Sequence, residues 1–150
     1  MTEKSSMKAM TWRGGNNFTS DQLEIPQVID KTCLIEIDTA GICGTDIHIT
    51  QGLFPSPENV VLGHEFSGKV VEVGKGVDKN LLNQSVTAQP VGGCGLCESC
   101  KKWSLSHCEK NKRRAGAFSE YVLVDEKGIP VIPDNLSIQN AALTEPAACS

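Results

Sequence analysis

Four cysteines, Cys94, Cys97, Cys100 and Cys108, stand in the pattern Cys-x2-Cys-x2-Cys-x7-Cys inside the segment GGCGLCESCKKWSLSHC. The segment has too little apolar content to hold itself folded, so something must staple it. Four thiolates at this spacing can surround one tetrahedral Zn²⁺, closing every coordination position and contributing folding energy directly. The bacterial iron–sulfur run opens in a similar way but continues x3-Cys-Pro, whereas here the last gap is seven residues and Glu109 follows Cys108. Two disulfides would need an oxidising compartment, for which the N-terminus MTEKSSMKAM offers no secretory signal. His107, beside four available thiolates, reads as a surface residue. A structural zinc lobe is therefore expected over residues 92–113.

The remainder can bury a core of its own: 150 residues at 39% hydrophobic content suffice for one domain. A formal charge of -4 gives a field of the wrong sign for phosphate backbones or anionic membranes, which argues against nucleic-acid and membrane partners. The basic residues Lys110, Lys112, Arg113 and Arg114 read as a solvated face of the lobe. No stretch approaches the roughly 20 apolar residues of a membrane span. A soluble, cytoplasmic protein is the expectation. Glycines at Gly93 and Gly95 begin a Gly-x-Gly pattern, but Glu98 takes its sixth position, so it is no dinucleotide fingerprint.

Residues 1–6 are polar and patternless and are expected to be disordered, with order beginning near Met7 in a strand over 8–12. In TCLIEID (32–38), Cys33, Ile35 and Ile37 alternate with Leu34, Glu36 and Asp38, which predicts a half-buried strand with the first set inward. Residues 67–73, 85–89 and 118–124 read as further strands between turn residues. Helix is expected only as a brief turn after Cys43 and over 137–149, where Ser137 can cap and Pro146 bends or restarts the run. Many short strands with few helices predict a mainly β, partly closed antiparallel barrel.

Two more segments gather metal-ligand types: GICGTDIH (41–48) and GHEFSG (63–68). Alone, Cys43 would read as a small buried hydrophobe and His64 as a satisfied core histidine. Together, with their flanking glycines, they suggest a site. Cys33 reads as core, and Cys149 as a helix cysteine.

At this point the chain resembles the zinc-dependent medium-chain dehydrogenase/reductase family. GHEFSGKVVEVGKGV, with Gly63, His64, Glu65, Gly68, Gly74 and Val77, is similar to that family's long zinc signature, and the four-cysteine segment to its structural zinc loop. The Glu145-Pro146 pair in TEPAAC is similar to sorbitol, threonine and butanediol dehydrogenases. The resemblance implies a GroES-like catalytic domain over 1–150 with two Zn²⁺, one structural and one catalytic. The catalytic ion would be bound by Cys43 and His64, with an acidic residue, Glu145 or Glu65, completing the protein ligands and one position left open. It also implies Thr45 as the hydroxyl that receives the alcohol proton, His48 as the group passing it toward solvent, and Asp46 as an orienter of a metal ligand.

The implied reaction is oxidation of a small secondary alcohol or polyol to a ketone. Zn²⁺ lowers the pKa of the alcohol oxygen so that an alkoxide forms, and hydride leaves for NAD or NADP. Aldehyde or enone reduction within the same family, and a non-enzymatic zinc-binding module, are the alternatives. Relatives continue into a Rossmann domain and are expected to be homo-oligomers. With that domain absent after Ser150, the isolated chain is expected to be inactive and to expose an apolar patch over 141–148. Relatives also carry Gly-Asp-Arg-Val where this chain reads Asn83, Gln84, Ser85, Val86, so a different turn is expected there.

Overall fold

A computed structural model describes residues 5–87, 91–92, 96–102, 108, 112–113 and 116–148. Strand β1 (Ser6–Trp12) buries Met7, Ala9 and Thr11 in strict alternation and ends on buried Trp12. It pairs antiparallel with β2 (Phe18–Glu24) and, at its far end, with β4 (Val60–Val61). A second antiparallel sheet runs in the order β6 (Ser85–Thr87), β5 (Glu65–Val73), β3 (Thr32–Gly41), β9 (Tyr121–Asp125). A short ribbon joins β7 (Val91–Gly92) to β8 (Lys112–Arg113), pairing Val91 with Arg113. Helices are few and short: α1 (Gly44–Thr50), α2 (Glu98–Lys101), α3 (Ile138–Ala141) and α4 (Thr144–Ala148). None among the described residues is long and apolar enough to cross a membrane.

The fold is mainly β, but among the described residues its antiparallel sheets do not close into a barrel. They are linked at isolated points. Ala9 of β1 bridges Ser119, where the Met10 amide donates to the Phe118 carbonyl at 2.7 Å and the Glu120 amide to the Lys8 carbonyl at 3.0 Å. The free edge of β6 is covered in the same way, Val86 bridging Val131, so its backbone groups find partners without another strand.

The main core is built on the second sheet, with Cys33, Ile35, Phe66, Val70 and Val86 sealed from solvent. A smaller core gathers Trp12, Ile49 of α1 and Leu62, with Val60 and Phe118 packed on it. That cluster fixes α1 against the segment leading into β5.

Several expectations need correction. β1 starts at Ser6, paired with Glu24, so the polar start of the chain gives way to strand before Met7. Leu34 is buried along with Cys33 and Ile35, because the register with β5 shifts between Leu34 and Ile35 and interrupts the simple alternation. β2 and β4 were not expected: FTSDQLE is mostly exposed and carries no apolar stripe, so its backbone pairing with β1 holds it. At the turn ahead of β6, Asn83 itself adopts the left-handed φ of +68°, and β6 follows directly.

Ser137 does cap α3, accepting from the Asn140 amide at 3.2 Å. The helical run breaks after Ala141 and resumes at Thr144, which leaves Pro146 in a first turn, where its missing N–H costs nothing. Ala141 and Ala142 are buried, so the apolar exposure expected over 141–148 is confined to Leu143, Ala147 and Ala148.

Candidate metal centre

The pairing of β3 with β5 sets Gly41 opposite Glu65. Cys43 lies two residues beyond Gly41 and His64 one residue before Glu65, so antiparallel register alone brings both to the same end of the sheet. The Cys43 sulfur, a His64 ring nitrogen and a Glu65 carboxylate oxygen all lie within 4.8 Å of one another. Glu65 is buried, while Cys43 and His64 are half-buried. Two glycines make room. A side chain at Gly41 would fall on Glu65 Oε2, and one at Gly63, whose φ is +89°, would meet the Phe118 ring at 2.6 Å.

Asp46 ties the two loops together. Cys43 is the N-cap of α1, its sulfur accepting from the Thr45 amide at 3.4 Å, and Asp46 completes a capping box by accepting from the Cys43 amide at 3.0 Å. The other carboxylate oxygen accepts from the Gly63 amide at 3.2 Å and stands 3.6 Å from His64 Nδ1. Burial would raise the Asp46 carboxyl, but the facing imidazole and the two amides outweigh it and hold the group below the ordinary carboxylate range. The same carboxylate pushes His64 up to about 9 in the metal-free chain, against the opposing effect of burial, with Cys43 adding to the rise.

Thr45 and His48 are one turn apart on α1, with Thr45 half-buried near the cap and His48 exposed. The His48 ring meets Phe54 edge-on, 5.5 Å between centroids and 65° between planes. Glu145 is half-buried on α4, which packs against β5, and is not a member of the close group of Cys43, His64 and Glu65. Sequence reasoning took Gly41 only as a flanking glycine of the site and missed Phe54. Only the register reveals the role of the first, and no spacing rule would have flagged the second.

A second group forms in the lobe, where Cys97, Cys100 and Cys108 also have ligand atoms within 4.8 Å of one another. Cys97 caps α2, its sulfur accepting from the Cys100 amide at 3.5 Å. Cys94, His107, Lys110, Arg114 and Cys149 lie outside the described residues. Cys33 is fully buried, and that burial, with Glu126 adding to it, raises its thiol.

Comparison with known proteins points the same way. Residues 30–134 match the family described as alcohol dehydrogenase GroES-like domain. D-arabitol-phosphate dehydrogenase of Enterococcus avium is 41% identical over 133 residues, covering 85% of this chain and 38% of that protein. Sorbitol dehydrogenase of Halalkalibacterium halodurans is 32% identical over 151 residues, covering 96% and 44%. Among solved structures, a zinc-binding dehydrogenase from Sinorhizobium meliloti bound to NADP superposes with a TM-score of 0.87 at 37% identity, covering 97% of this chain and 44% of that one. 2R,3R-butanediol dehydrogenase from Bacillus subtilis superposes at 0.82 with 32% identity, covering 95% and 45%. The chain thus spans less than half the length of these relatives.

Proposed function

Since the chain belongs to the alcohol dehydrogenase GroES-like domain family, we propose that it is the catalytic domain of a zinc-dependent dehydrogenase that oxidises a polyol or other secondary alcohol to a ketone. NAD or NADP is the proposed hydride acceptor, by analogy with the NADP-bound neighbour. The observation that carries the reading is the convergence of a sulfur, a ring nitrogen and a carboxylate oxygen within 4.8 Å. Tetrahedral Zn²⁺ with ligands at about 2.0–2.3 Å sets neighbouring donors about 3.3–3.8 Å apart, a spacing that falls inside that limit. The donor set fits zinc in kind as well, combining thiolate, imidazole and carboxylate.

Cys43 and His64 would hold the ion, with Glu65 or Glu145 as the carboxylate. When bound, Zn²⁺ supplies Lewis acidity that makes an alcohol oxygen a stronger acid. Asp46 orients the site from behind, fixing the Cys43 backbone and facing His64 Nδ1, which leaves the far ring nitrogen for the metal. Thr45 takes the alcohol proton, and His48, exposed one turn on, delivers it to solvent. A second, structural Zn²⁺ belongs to the lobe over 92–113, held by Cys94, Cys97, Cys100 and Cys108. The three converging cysteines and the β7–β8 ribbon support this.

Metal analysis tests the proposal. The chain should carry two Zn²⁺ and a Cys43→Ser variant one. A single ion that survives Cys43→Ser would reduce the protein to a zinc-binding module.

A further inference from the structure

Glu145 can serve the Cys43–His64 site only if α4 is held on the sheet face that carries Glu65. Ser67 provides a hold. It is fully buried on β5, two residues after Glu65 and so on the same face of the strand. Its hydroxyl donates to the Ile138 carbonyl of α3 at 2.6 Å. At the end of α3 the Ala142 amide turns to the Gln139 carbonyl, so the helix does not close a regular bond onto Ile138 there, and Ser67 meets that acceptor from the sheet. A second tie comes from Gln139, whose side-chain amide donates to Asp38 Oδ1 of β3 at 3.0 Å. With these two bonds α3 lies across β3, β5 and β6, and the chain turns at Ala142 and Leu143 to run α4 against β5.

We propose that Ser67 is a positioning residue for Glu145, fixing α3 so that the carboxylate on α4 is presented to the metal held by Cys43 and His64. This rests on Glu145, of the two carboxylates offered above, being the one that serves the ion. The backbone acceptor matters because it orients the helix itself, not one rotamer, so losing the bond loosens α3 and α4 together even while the Gln139 tie remains.

A double-mutant cycle on the full chain tests it. Zn²⁺ affinity of the Cys43–His64 site is measured by chelator competition with the lobe already loaded, for wild type, Ser67→Ala, Glu145→Gln and the double variant. Ser67→Ala should weaken binding about fivefold to tenfold, the equivalent of one hydrogen bond. In the Glu145→Gln background the same change should have little further effect. An equal loss in both backgrounds would make Ser67 a merely structural residue and overturn the inference, as would an unchanged affinity in Ser67→Ala. No effect of Glu145→Gln alone would remove Glu145 from the site and take the inference with it. Should Ser67→Ala fail to fold, Gln139→Ala cuts the exposed tie instead and must show the same dependence on Glu145.

Discussion

Replacing Asp46 with alanine removes the side chain that joins both halves of the proposed metal site. Its carboxylate accepts from the amides of Cys43 and Gly63 and is only 4% exposed. Hydrogen bonds to a charged acceptor are worth about 1.5–3 kcal/mol each. Relief of the desolvation that opposes Asp46 ionisation offsets part of the loss. The lower end for two bonds gives a destabilisation of about 3 kcal/mol. A domain of this kind has roughly 5–15 kcal/mol in total, so the variant should fold with a clearly lowered denaturation midpoint. Zn²⁺ affinity at the Cys43–His64 site should fall about 10-fold to 100-fold, as for loss of an orienting partner behind a metal ligand. The lobe site should be untouched. Denaturant unfolding of the metal-free chain and chelator competition read the two effects separately. A destabilisation below about 1 kcal/mol with unchanged Zn²⁺ affinity would refute the argument, since both amides would then have been satisfied without the carboxylate.

Gly41→Ala should push the Glu65 carboxylate from its seat and weaken zinc at this site alone, which metal titration against the intact lobe detects. pH acts through the Asp46–His64 pair. His64, raised to about 9 from 6.5, stabilises the metal-free fold fully below pH 6.5 and loses that contribution as pH climbs through 9. Asp46, lowered from 3.8, contributes above that value and less as pH falls beneath it. Raising pH from neutral to alkaline should therefore destabilise the metal-free chain while strengthening zinc binding, because the ion takes the deprotonated ring; unfolding and chelator competition across that interval check both signs.

The chemistry was more legible in the sequence than its assembly. Cys33 and Ile35 announced an inward strand face, but Leu34 joined them because of a register shift that no periodicity encodes. Ser137 and Pro146 marked the ends of helices through local backbone chemistry, which is why they could be read in advance. β2 could not, since FTSDQLE is held by backbone bonds to a distant strand and not by a buried face of its own. Cys43, His64 and Glu65 were recognisable as ligand types, yet their meeting depends on Gly41 standing opposite Glu65, a long-range fact. Asp46 was expected behind a ligand. That it also bonds the Gly63 amide emerges only when the two loops come together.

The most direct measurement is anomalous diffraction at the zinc edge from crystals of the metal-loaded chain. The account predicts a peak about 2.3 Å from the Cys43 sulfur and about 2.0–2.1 Å from a His64 ring nitrogen, apart from the lobe peak. Anomalous signal at the lobe alone, with Cys43 and His64 sharing no ion under excess zinc, would contradict it.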